Sequence, residues 1–115
     1  MLATEGDVPA DRMVVFAQQT RRKCEAGDAA NCKKLGRLYL NGEGVPKDEK
    51  KALSIFEKTC DQGNMGACLD TGALYATATG TTMDMARAKE LTDRACAGGE
   101  QTACENARAI APYSP

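Results

Sequence analysis

The chain has 115 residues, a formal net charge of −1 and a charged fraction of 27%, with neither histidine nor tryptophan. That length suits one small domain or a short repeat array, and so even a charge balance announces neither nucleic acid nor a membrane surface as partner. Without histidine the commonest general base and the commonest metal ligand are both missing, and no apolar run is long enough for a transmembrane helix.

The first residues, Met1-Leu-Ala-Thr-Glu-Gly-Asp, lack the basic start and apolar core of a secretory signal, and residues 1–9 read as a flexible leader ending at Pro9. From about Ala10 to Ala26 the pattern is helical, with Met13, Phe16, Ala17, Thr20 and Cys24 at three- and four-residue spacing. Gly27 suits the left-handed position after a helix, and Asp28 suits the N-cap of the next. A second helix is expected at about 29–41, turning Cys32, Leu35, Gly36, Leu38 and Tyr39 inward. The turn from Asn41 to Asp48 ends in another aspartate cap. Its Gly-x-Gly follows a helix rather than a strand, so it is not read as a phosphate loop. A third helix at about 49–61 buries Ala52, Leu53, Ile55, Phe56 and Cys60, and a fourth follows at about 65–77. The fifth, at about 85–97, offers Ala88, Leu91, Ala95 and Cys96. The last, at about 100–110, has Cys104, Ala107 and Ile110 facing in, before Pro112 and a short tail over 112–115.

These elements repeat. Cys24-Glu-Ala-Gly-Asp-Ala-Ala-Asn-Cys32 returns as Cys60-Asp-Gln-Gly-Asn-Met-Gly-Ala-Cys68 and as Cys96-Ala-Gly-Gly-Glu-Gln-Thr-Ala-Cys104, at a period of 36 residues. Gly36, Leu38 and Tyr39 recur as Gly72, Leu74 and Tyr75. A fixed period of this length is the signature of a solenoid in which each unit is one supersecondary element. The expected architecture is all-α: a right-handed α/α solenoid of six helices over residues 10–111. Its units are 28–63 and 64–99, with partial units at 10–27 and 100–111. A glycine inside a helix costs about 1 kcal/mol relative to alanine, so its recurrence at one phase implies a helix passing too close for a side chain.

On one continuous helix, cysteines eight positions apart would lie about 12 Å from each other, beyond disulfide reach. A bridge therefore requires the chain to reverse between them, which Gly27, Gly63 and Gly99 permit. Six cysteines used up in three equal spacings favour the bridges Cys24–Cys32, Cys60–Cys68 and Cys96–Cys104; the alternative is six reduced thiols packed like alanines. Bridges imply an oxidising compartment: a periplasmic or secreted protein whose signal has already been removed.

Lys34-Leu-Gly-Arg-Leu-Tyr-Leu-Asn-Gly-Glu-Gly-Val-Pro-Lys-Asp-Glu-Lys-Lys-Ala52, followed by Phe56-Glu-Lys-Thr-Cys60, resembles the Sel-like repeat, a relative of the tetratricopeptide repeat. The match over 35–60 is strong; over 71–96 the turn has lost the counterparts of Gly42 and Val45. With its cysteine pairs the chain is similar to the cysteine-rich Helicobacter-type subfamily, whose hairpins each carry one disulfide. The resemblance implies an exported scaffold or protein-binding surface, and links some members to β-lactam binding or hydrolysis.

The reading of function is a non-catalytic adaptor, expected to be a monomer without cofactor, binding another protein or peptide rather than nucleic acid or membrane. Its concave face is assigned to the first helix of each pair, with Lys33, Lys34, Arg37 and Asn41, then Asp70, Ala73 and Thr77, then Glu105 and Asn106 as partner-binding positions. Two alternatives stand beside this reading. A serine β-lactamase needs Ser-x-x-Lys, which Ser54 and Ser114 lack, and a metal-dependent one wants histidines. A redox, metal or haem-related assembly factor wants Cys-x-x-Cys, absent at a spacing of eight. Basic residues over 21–37 give that hairpin a net charge of +4, which would steer an acidic partner to it.

Overall fold

The computed structural model describes residues 4–110, with side chains from 12 to 109. Among these residues it is all helix: α1 (Thr4–Glu25), α2 (Ala29–Asn41), α3 (Glu49–Asp61), α4 (Met65–Ala76), α5 (Met85–Ala97) and α6 (Gln101–Ile110). Each helix packs on the next in chain order, giving the α/α solenoid the period implies. We call α2, α4 and α6 the A helices and α1, α3 and α5 the B helices.

Local chemistry sets the boundaries. Asp28, Asp48, Asn64 and Asp84 are N-caps, and each side chain accepts a hydrogen bond from the backbone N–H three residues on, worth about 1 kcal/mol per cap. At the reversals between B and A helices, Gly27, Gly63 and Gly99 have φ near +100°, a conformation other residues rarely adopt. The reversal brings each cysteine pair to a Cα separation of 4.5 Å, and all three disulfides are formed within hairpins. In the first A-to-B turn Gly42 is left-handed; in the second Ala78 takes over that conformation at φ +57°. The degenerate turn thus keeps its shape at the cost of a strained alanine.

Small residues set the close packing both within units and between them. A methyl group at Gly36 would come within 2.8 Å of the Phe56 ring, and one at Gly72 within 3.2 Å of the Ala88 carbonyl oxygen, so both glycines mark the expected close approaches. Gly44 sits against the Met13 carbonyl of α1, and Gly80 against the Glu49 carbonyl of α3; the same contact, 36 residues on, seats each turn on the preceding B helix. The core divides into a first cluster built around Leu35, Leu38, Tyr39, Leu53 and Phe56, and a second, poorer in large side chains, around Cys60, Cys68, Leu91 and three alanines. Buried Thr20, Thr59, Thr71 and Thr92 return their hydroxyls to carbonyls four residues back, which removes the penalty of an unpaired polar group. Tyr75 donates to the Glu57 carboxylate at 2.5 Å, tying α4 to α3. That bond holds the phenol above its ordinary pKa.

Three expectations are corrected. Helix α1 begins at Thr4 rather than Ala10. Residues 4–9, expected as part of the leader, fall within α1, while residues 1–3, Ala111 and the tail lie outside the described residues. Phe16, read as inward, is 42% exposed, beside exposed Val14 and Val15. Its counterparts Ala52 and Ala88 are fully buried because an A helix precedes α3 and α5, and among the described residues none precedes α1. In α6 the fully buried residue is Ala103, in register with Ala67; Cys104 and Ala107 are only partly covered.

Candidate interaction groove

Two depressions open between successive A helices and share Ala73 as a common wall. The first, about 140 Å³, lies between α2 and α4 and is lined by Arg37, Leu40, Phe56, Asp70, Ala73 and Leu74. The second, about 310 Å³, lies between α4 and α6 over α5, with Leu69, Gly72, Ala73, Ala76, Thr77, Met85, Thr92, Asn106 and Ala109 around it. Five expected partner-binding residues, Arg37, Asp70, Ala73, Thr77 and Asn106, thus meet along one groove.

The other four do not. Lys33 folds over the start of α4, with Nζ 2.7 Å from where a methyl group on Gly66 would sit. Asn41 turns its carboxamide to Glu43 at 3.5 Å. Lys34 and Glu105 are exposed and line neither depression. Sequence reasoning missed the apolar lining, Leu40, Leu69, Ala76, Met85 and Ala109, and the buried Thr92 beside it. The signal was present in the 36-residue register, where Arg37, Leu40 and Phe56 shrink to Ala73, Ala76 and Thr92.

Charge in the groove is concentrated at one pair. Arg37 reaches Asp70 at 3.4 Å, with the guanidinium side chain 56% exposed and the carboxylate side chain 23% exposed. Burial dominates at Asp70 and pushes its carboxyl above the ordinary range, against the opposing pull of Arg37 and Lys33; Glu100 adds to the rise. A half-exposed ion pair adds little stability, so it does not offset the desolvation. A carboxyl raised on folding contributes stability that is present below its unfolded pKa and lost as pH rises through the folded one. Asp70→Asn should therefore raise the melting temperature at pH 7, by roughly 1–4 °C, and flatten its fall between mildly acidic and neutral pH. Thermal melts from pH 4 to 7 check this; a lower melting temperature at pH 7 would show that the ion pair dominates.

All six thiols are held in disulfides, and among the described residues no group of three or more His, Cys, Asp or Glu side chains could hold a metal. Ser54 is exposed on α3, outside both depressions.

A capped helix-pair repeat whose A helices line a groove defines the class: a helical solenoid of the tetratricopeptide-like kind. The Sel1 repeat pattern matches residues 32–64 and 66–100, more than half of the chain, and the chain belongs to the Sel1 repeat family. Solved structures agree. A protective antigen of uropathogenic Escherichia coli strains, displaying an SLR fold, superposes with a TM-score of 0.81 at 26% identity over 86% of this chain. Helicobacter pylori cysteine rich protein B gives 0.73 at 29% identity over 77% of this chain and 67% of that one. A Sel1 repeat protein from Oxalobacter formigenes gives 0.76 at 30% identity, covering 82% of this chain and 38% of that one. The chain spans about a fifth (21%) of the E. coli antigen. No curated protein matches it by sequence.

Proposed function

We propose that this chain is a non-catalytic interaction module, exported and disulfide-stabilised, whose A-helix face binds a polypeptide. The observation that carries the reading is the groove itself: residues of three A helices form two adjoining depressions with one shared wall. Disulfides form and persist in oxidising compartments, which supports a periplasmic or extracellular setting. Among the described residues no helix is long and apolar enough to cross a membrane.

Lys34 and Arg37 supply the positive end. The test is partner capture from a native envelope fraction by the wild type and by a Lys34→Glu, Arg37→Gln variant. Glutamine is chosen because a glutamate at 37 would face Asp70. Capture should weaken and association slow by about tenfold at low salt, with a smaller effect at physiological salt and an unchanged melting temperature. Undiminished capture at low salt would sink the A-face assignment and move the search to the B helices.

A further inference from the structure

The two depressions are one feature repeated, and the difference between them is informative. Arg37, Leu40, Phe56 and Asp70 of the first are replaced, 36 residues on, by Ala73, Ala76, Thr92 and Asn106 of the second. Three large side chains have shrunk, and the ion pair across the mouth has become an alanine facing an asparagine. About 140 Å³ accordingly becomes about 310 Å³. The close approach of α4 to α5 at Gly72 forms the floor, so the space is held open by packed backbone.

The lining selects an occupant. Among the described residues no charged side chain borders the second depression, and a charge placed there would lose its water without gaining a partner. The Thr92 hydroxyl is committed to the Ala88 carbonyl at 2.7 Å, and that of Thr77 to the Ala73 carbonyl at 2.8 Å. Asn106 is exposed and lines the depression. A carboxamide offers donor and acceptor together, the complement of one peptide unit. The volume stands at the floor of the roughly 300–1,000 Å³ range of small-molecule sites, which suits a single side chain.

We propose that this cleft is an anchor pocket for one uncharged, apolar side chain of an extended polypeptide, whose adjacent peptide unit pairs with the Asn106 carboxamide. This rests on the reading of the A-helix face as polypeptide-binding and names its partner's chemistry. Charge fixes the rest. An extended chain advances about 3.3 Å per residue, and neighbouring helices lie about 8–10 Å apart. An acidic residue about three to six positions from the anchor therefore reaches the basic side chains of α2.

The test needs no natural partner. The isotope-labelled full chain is titrated with N-acetyl-leucine N-methylamide, and in parallel with the corresponding glycine and glutamate derivatives, with NMR as the readout. The leucine probe should shift the methyl signals of Ala73, Ala76 and Met85 and the side-chain amide of Asn106, with a dissociation constant on the order of 1 mM. The glycine and glutamate probes should bind at least about tenfold more weakly. Ala76→Leu, which restores the counterpart of Leu40, should abolish the response. Asn106→Ala should weaken binding by about fivefold while the methyl shifts persist; because Asn106 is exposed, this variant serves if Ala76→Leu fails to fold. Equal response to all three probes, shifts confined to other sites, or undiminished binding by both variants overturns the proposal. So do concentration-dependent shifts of the same signals without probe, which would make a second copy the occupant. A silent cleft together with charge-sensitive capture overturns the anchor alone; a responsive cleft with charge-insensitive capture removes instead the role given to Lys34 and Arg37.

Discussion

Removing the central disulfide with Cys60→Ala and Cys68→Ala should cost about 2–3 kcal/mol of folding stability. The bridge closes a short loop in the unfolded chain, and loop-closure entropy for eight residues gives that figure. Both cysteines are buried, at 1% and 0% exposure, and they belong to the second core cluster, so lost contacts add to the entropic loss. The bridge also joins α3 to α4 and hence the first full unit to the second. Urea unfolding at equilibrium measures the loss. The Cys96→Ala, Cys104→Ala pair is a useful contrast, because those residues are only partly buried and the packing loss should be smaller. A change below about 0.5 kcal/mol at the central pair would mean that the unfolded chain is already compact around this hairpin.

Gly72→Leu should be nearly as damaging, at roughly 1–3 kcal/mol from overpacking. The first carbon of any side chain would lie 2.9 Å from Thr92 Oγ1, itself bonded to its own helix, and 3.2 Å from the Ala88 carbonyl oxygen. Neither neighbour is the free end of a flexible chain, so α4 and α5 must separate. Thermal melts should show a fall of several degrees or more. An unchanged melting temperature would contradict the close approach.

Much of this was legible in the sequence, because the fold is written three times. The caps Asp28 and Asp48, the glycine reversals and the cysteine pairing follow from local chemistry, and the 36-residue period repeats them within the chain. What was not legible depends on neighbours. Phe16 occupies a register position that is buried in later units, and only the lack of a described helix before α1 leaves it exposed. Lys33 stands in phase with Leu69 of the groove, yet it folds over Gly66 because that residue has no side chain to stop it. The cleft was hidden for another reason. Each substitution from Arg37, Leu40 and Phe56 to Ala73, Ala76 and Thr92 is bland alone, and their sum becomes a cavity only when helix packing brings them together.

The measurement that addresses the A-face assignment most directly is site-specific photo-crosslinking in the native envelope. A benzophenone side chain is placed at Ala73, the wall shared by both depressions, and separately at exposed Ser54 on α3. The account predicts a discrete crosslinked polypeptide from position 73, competed away by unlabelled wild-type chain, and none from position 54. Crosslinks from position 54 with none from position 73 would contradict it and place recognition on the B helices.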